Sequence, residues 1–301
     1  MFEFFANIFG YLLKVLYDLV NNYGLAIILF TVIIKLLLLP LSIKQQKTMK
    51  KSAKLQEKMK VIQFKYKNDS EKMNQEIMNL YKNEKMSPFS GCLTTIIQLL
   101  LLLSIFYLVR NPLTYMEKIS KDDINKYVTQ LQDEGKSVSS VYPEIDLIRE
   151  YEWLNEKNVD DDNINKINLQ MNFIGLDLSK IPQQNMTDYT VYIIPVLYII
   201  SSFISIRLST AMQQKQKVGE ERNDEIITSE EIGKELVAKE ESNEVDTVMQ
   251  TNKMMSWMMP IMSISIAFVA PLGLALYWLI SNILMILERL VLDKAIKTEE
   301  E

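Results

Sequence analysis

Histidine is absent from the 301 residues, and Cys92 is the sole cysteine. These two absences exclude a disulfide framework, a Cys/His zinc site and a Cys–His nucleophile together. Glycine is scarce at eight residues, and none of them falls in a GxxxxGK[ST] phosphate loop. An ATP-driven pump or a conventional enzyme has little material to work with, and no catalytic residue, metal site or cofactor is expected. A further absence concerns charge of one sign: no Asp or Glu lies in the middle of any long apolar run.

What is present divides into two populations. Mean hydropathy is near zero, but several windows of about twenty residues are almost wholly apolar, the length that crosses a hydrocarbon core of ~30 Å. Between them lie segments dense in Lys, Asp, Glu and Asn. The expected fold is an all-α integral membrane protein with five transmembrane helices, at 23–43, 88–110, 190–210, 253–270 and 271–292. The last two meet at "APLG", Ala270 to Gly273, where Pro and Gly permit a reversal.

Residues 1–22 carry a polar stripe of Glu3, Asn7, Lys14, Asp18 and Asn21. They read as an amphipathic helix lying on the membrane surface. The segment 44–87 holds twelve Lys against five acids, whereas 111–190 holds eight basic residues against fifteen acids. Basic loops stay inside, so 44–87 is expected to be cytoplasmic and 111–189 extracytoplasmic. The N-terminus is then outside, and the tail 293–301 inside. Within 44–87, Leu55, Met59, Ile62 and Tyr66 form one apolar stripe, and Met73, Ile77, Leu80 and Tyr81 form another. "KNDS" (Lys67 to Ser70) breaks the chain between them, which predicts a helical hairpin. Residues 211–252 read as an acidic, solvated cytoplasmic loop. Neither that loop nor the acidic tail offers a basic patch, so no direct nucleic-acid partner is expected.

One residue conflicts with this pattern. Lys35 sits inside the first apolar run, where a cation costs ~2.5–3.5 kcal/mol on insertion scales. Four explanations compete. The side chain snorkels toward the interface; it pairs with a carboxylate on another span, although none lies at mid-span; it is deprotonated by desolvation; or it faces a hydrated pocket or groove lined by polar side chains. Candidates for that lining are Thr31 one turn earlier, Gln98 in the second span, and Ser201, Ser205 and Ser209 at four-residue spacing in the third. Tyr277, Trp278, Ser281 and Asn282 in the fifth complete the set. The fourth explanation accounts for the most residues. A cationic groove would hold a polar or acidic segment of another chain while that chain's apolar span slides into lipid, with no need for ATP.

Four stretches carry a family resemblance. They are "YGLAIILFTVIIKLLLLPLSIKQQKTMKKSAKLQEKMK" (Tyr23 to Lys60), "NQEIMNLYKNEKMSPFSGCLTTIIQ" (Asn74 to Gln98), "NFIGLDLSKIP" (Asn172 to Pro182) and "MMPIMSISIAFVAPLGLALYWLISN" (Met258 to Asn282). In order and spacing the chain resembles the YidC family of membrane protein insertases, in its short Gram-positive-like form. The resemblance implies a five-helix core around a hydrophilic groove and a mobile cytoplasmic hairpin. It puts Lys35 at the groove's basic position, where Arg is usual; the charge is kept, but the planar guanidinium fork is not. It also implies client contacts at Thr31, Gln98, Leu99, Leu102, Tyr277 and Trp278. The partners it implies are nascent membrane proteins and the lipid bilayer, with the protein acting alone or beside the Sec translocon and the signal-recognition machinery. The resulting expectation is an insertase and membrane chaperone. A small-solute channel or carrier, and a purely structural assembly factor whose Lys35 snorkels, are the alternatives.

Overall fold

The computed structural model describes residues 2–66, 69–84, 90–158, 160–220 and 264–300. The chain forms two compact units. The first holds the described parts of 1–39, 95–201 and 263–301, and the second those of 40–94 and 202–262.

In the first unit, α1 (Phe2–Val20) buries Ala6, Phe9, Gly10, Leu13 and Tyr17. It ends where Asn21 adopts a left-handed backbone (φ 46°) and its N–H reaches the Tyr17 carbonyl, a helix stop that Asn tolerates. The adjacent Asn22 starts α2 (Tyr23–Lys65): its Oδ1 accepts the Leu25 N–H at 3.0 Å. The polar stripe of α1 keeps Glu3, Asn7, Asp18 and Asn21 exposed, and it also pairs with residues far along the chain. Lys14 pairs with Glu117 at 3.0 Å, Lys118 donates to Asn7 Oδ1 at 2.9 Å, and Lys121 reaches Glu3 at 3.6 Å. A second stripe, Phe4, Ile8, Tyr11, Val15 and Leu19, is exposed as well.

After α4 (Ser90–Arg110) the chain builds a folded segment. It consists of α5 (Pro112–Tyr115), α6 (Lys121–Asp133), α7 (Pro143–Arg149), α8 (Tyr151–Lys157) and α9 (Ile164–Ile167), followed by a β-hairpin, β1 (Asn172–Phe173) and β2 (Leu176–Asp177). Tyr127, Leu131, Leu147, Leu154 and Ile167 are fully buried and give it a core of its own. Glu144 is buried too, and its carboxylate serves the start of α5. It accepts the N–H groups of Leu113 and Thr114 at 2.8 and 3.0 Å and the Thr114 hydroxyl at 2.6 Å.

Two 3₁₀ turns, Pro182–Gln184 and Tyr189–Tyr192, lead into α10 (Ile193–Glu220). Residues 264–269 are helical, and α11 (Leu272–Glu300) follows the turn at Ala270 and Pro271. Three helical stretches are long and apolar enough to span a membrane among the described residues: Tyr23–Thr48, Tyr189–Leu208 and Leu272–Leu292. The described apolar part of the expected second span is Leu99–Arg110. Most of the expected fourth, 253–263, lies outside the described residues, as do 221–252 and Lys67 and Asn68 of "KNDS".

The second unit contains the C-terminal part of α2 and α3 (Ser70–Asn83). Asp69 caps α3, its side chain accepting the Lys72 N–H at 3.0 Å. Tyr81 contacts the Met59 sulfur at 3.7 Å, and Lys58 pairs with Glu84 at 2.6 Å. The helix α3 therefore folds back on the last turns of α2.

Candidate functional site

Lys35 is half-buried on α2. Two neighbours in sequence, Leu36 and Leu37, are 63% and 68% exposed, so this part of α2 presents apolar surface beside the cation. Among the described residues Lys35 makes no hydrogen bond and no ion pair. The charges that act on it across space are Glu288 and Arg289 of α11. The two are adjacent in sequence and opposite in sign, so their fields partly cancel at the Lys35 ammonium.

Thr31, one turn before Lys35, is buried, and its hydroxyl is committed to its own helix, donating to the Ile27 carbonyl at 2.6 Å. A second polar group lies between α10 and α11. Asn282 donates to Ser201 Oγ at 3.0 Å, and Ser201 donates to the Tyr198 carbonyl at 2.8 Å, all in buried surroundings. Trp278 lies against Tyr198 with ring centroids 5.9 Å apart, and Tyr277, also buried, is hydrogen-bonded to Ser281. The fold thus joins Ser201, Trp278 and Asn282 through α10. Among the described residues no hydrogen bond or ring contact joins them to Thr31 or Lys35. Leu99 is exposed, Leu102 is half-buried and Ser205 is buried. The side chains of Gln98 and Ser209 lie outside the described residues.

Glu288 and Arg289 lie near the end of the fifth apolar run. The signal that could have singled them out is charge in the last turns of an otherwise apolar run. Tyr198 was missed altogether. Its position three residues before Ser201 gave no sign that it would meet Trp278 across helices.

A family model described as 60Kd inner membrane protein matches residues 15–300. The chain belongs to this YidC-type family. Similar proteins include Membrane protein insertase YidC of Francisella tularensis subsp. novicida (strain U112) and its counterparts in subsp. tularensis (strain WY96-3418) and subsp. mediasiatica (strain FSC147). Each is 40% identical over 109 residues, which make up 36% of this chain and 20% of the relative. The chain therefore aligns with about a fifth of the length of these relatives. Membership of the YidC-type family, together with the apolar helices, indicates a bacterial membrane protein.

Proposed function

We propose that this chain is a membrane protein insertase and chaperone. It receives nascent membrane proteins in a hydrophilic groove and releases their spans into the bilayer, alone or with the Sec translocon. The observation that carries this reading is Lys35: a cation held half-buried in a spanning helix, without hydrogen bond or ion pair among the described residues. A permanent counter-ion would neutralise such a group. Without one, the ammonium is available to a carboxylate or polar backbone on a passing client, in a setting where charge attraction is much stronger than in water. The names of the relatives support the same reading.

In this mechanism Lys35 draws in the polar segment to be translocated. Thr31, Gln98, Leu99, Leu102, Ser201, Ser205, Tyr277, Trp278 and Asn282 line the path. The apolar members contact the client's own span, and transfer of that span into lipid drives the process. No nucleotide or cofactor takes part. The hairpin 44–87 lies in the cytoplasm and meets clients first; the segment 111–189 lies outside, with the N-terminus outside and the C-terminus inside.

The test is complementation of an insertase-depleted strain, with protease protection of a small client whose translocated segment is acidic. Lys35→Arg is expected to support insertion, Lys35→Ala to slow it by about tenfold, the weight of one desolvated charge contact, and Lys35→Glu to abolish it. Full insertion by Lys35→Glu would overturn the role of the charge.

A further inference from the structure

We infer that the tip of the β1–β2 hairpin, with the turn that precedes α10, is embedded in the lipid interface on the side of the membrane that carries the external segment. The starting observation is a residue in an unsuitable conformation. Phe173 pairs with Leu176, so Ile174 and Gly175 form a two-residue turn, and both have positive φ, 52° and 77°. Such turns favour Asn-Gly, because a β-branched residue crowds its own backbone in the left-handed region. An isoleucine here gains nothing from packing within the protein, since it is 84% exposed. A strained, fully presented apolar side chain calls for a partner outside the chain.

The position of the hairpin identifies the partner. Asn22, at the start of α2, donates to the Asn172 carbonyl at 2.8 Å, and the Tyr23 N–H reaches the Gln170 carbonyl at 3.0 Å. The N–H groups of Leu272 and Gly273 at the start of α11 donate to the carbonyls of Lys180 and Leu178, each at 2.9 Å. The strand β2 packs against the Tyr189–Tyr192 turn, where the α10 span begins. The hairpin is thereby fixed to the same ends of three membrane-crossing stretches, at the level where hydrocarbon meets headgroups.

The exposed surface is also continuous with the lipid-facing side of a span. Tyr189 is 83% exposed and Met186 64% exposed. Beyond them Ile193, Val196, Leu197 and Ile200 continue an exposed apolar stripe along α10. A tyrosine at the first residue of a span suits the interfacial belt, with its ring in the acyl boundary and its hydroxyl among headgroups. Polar groups of the loop are already satisfied within the protein, which lowers the cost of immersion: Asn172 Oδ1 accepts the Gly175 N–H, and Asp177 accepts both the N–H and the hydroxyl of Ser179. The inference rests on the chain's being a membrane protein and is independent of the insertase reading.

The experiment uses the full chain with Cys92→Ser, carrying Ile174→Cys labelled with an environment-sensitive fluorophore. It is reconstituted in phosphatidylcholine–phosphatidylglycerol vesicles, with Tyr189→Cys as a second site free of the strained turn. Gln132→Cys, on the exposed face of α6, is the aqueous reference. Nitroxide lipids labelled near the headgroup end of the acyl chain are expected to quench the Ile174 and Tyr189 probes at least about threefold more than the Gln132 probe. Iodide on both sides of the vesicle is expected to show the reverse order. Iodide quenching at both sites equal to that at Gln132, with no lipid quenching, would overturn the inference. Protection from both quenchers would overturn it as well, by showing that another protein surface covers the tip.

Discussion

Gly10 sits where α1 meets α5. A methyl group built on it would lie 2.0 Å from the Tyr115 carbonyl oxygen and 2.6 Å from its carbon. Both atoms are backbone, so no rotamer change can relieve the clash, and the helix itself must move. Gly10→Ala is therefore expected to lower stability by at least about 2 kcal/mol, read as a drop in the thermal midpoint of the detergent-solubilised protein. Gly24→Ala is expected to be destabilising too, because the new methyl would lie 2.4 Å from Phe173 Cγ and 2.7 Å from its Cβ, an atom no rotamer change moves. The sequence marked neither glycine; a glycine in an apolar helix looks the same whether or not a backbone passes over it. Lys35 is the opposite case. Its anomaly was legible from one line of sequence, because a cation in a twenty-residue apolar run is improbable without a function. That Glu288 and Arg289 act on it from α11 was not legible, since more than 250 positions separate them in the chain.

At the scale of elements, three of the expected apolar runs coincide with helices long enough to span a membrane, and those helices continue past the expected ends. The span expected at 23–43 and the first arm of the hairpin are one helix, α2, of 43 residues and about 65 Å. Pro40 lies inside it. A proline removes one hydrogen bond but does not stop a helix whose flanking turns are well packed or set in lipid. The helices α10 and α11 likewise run on to Glu220 and Glu300, past the ends expected at 210 and 292. Helical propensity continues where hydropathy falls, and the sequence reading had used hydropathy to end each span. The fold-back of α3 on α2 depends on few contacts, with Tyr81 against Met59 the most specific. A hydrogen bond from the Tyr81 hydroxyl to the Met59 sulfur contributes about 1 kcal/mol. Tyr81→Ala is accordingly expected to speed amide exchange across Ser70–Asn83 by about fivefold, with the exchange of α6 and α7 unchanged. The exposed Lys58–Glu84 pair adds little beside it.

For the whole molecule, the carboxylates of the folded segment 111–189 set an unusual pH dependence. Burial pushes Glu144 above the ordinary carboxylate range and outweighs the hydrogen bonds from Thr114 and Leu113. Burial does the same to Glu117 against the pull of Lys14, and to Asp146 against the bond from Ser139. A carboxyl with a raised value in the fold binds more protons folded than unfolded, so stability falls as pH rises from the unfolded values of ~4 through the raised ones. Asp188 works in the other direction. Its hydrogen bonds from Lys180 and Thr190 hold it at about 2, so its contribution is complete above the ordinary Asp value and is lost as pH falls toward about 2. The expected outcome is a thermal midpoint highest near about pH 4 and lower at neutral pH, measured by tryptophan fluorescence in detergent. Glu144→Gln should flatten the decline on the alkaline side of that maximum.

The amino-acid sequence by itself determined that this is a helical membrane protein, which stretches are apolar enough to span, and where the one unexplained cation lies. Each of these follows from local chemistry: hydrocarbon thickness sets a run length, and the cost of a charge in lipid makes a single lysine conspicuous. Only the tertiary structure decided that 111–189 is a folded segment with its own core, and that its hairpin is tied to the starts of α2 and α11. The same holds for the pairing of the polar stripe of α1 with Glu117, Lys118 and Lys121. Those outcomes depend on hydrogen bonds and ion pairs between residues far apart in the chain. A polar stripe reads the same in sequence whether water or another part of the protein will satisfy it.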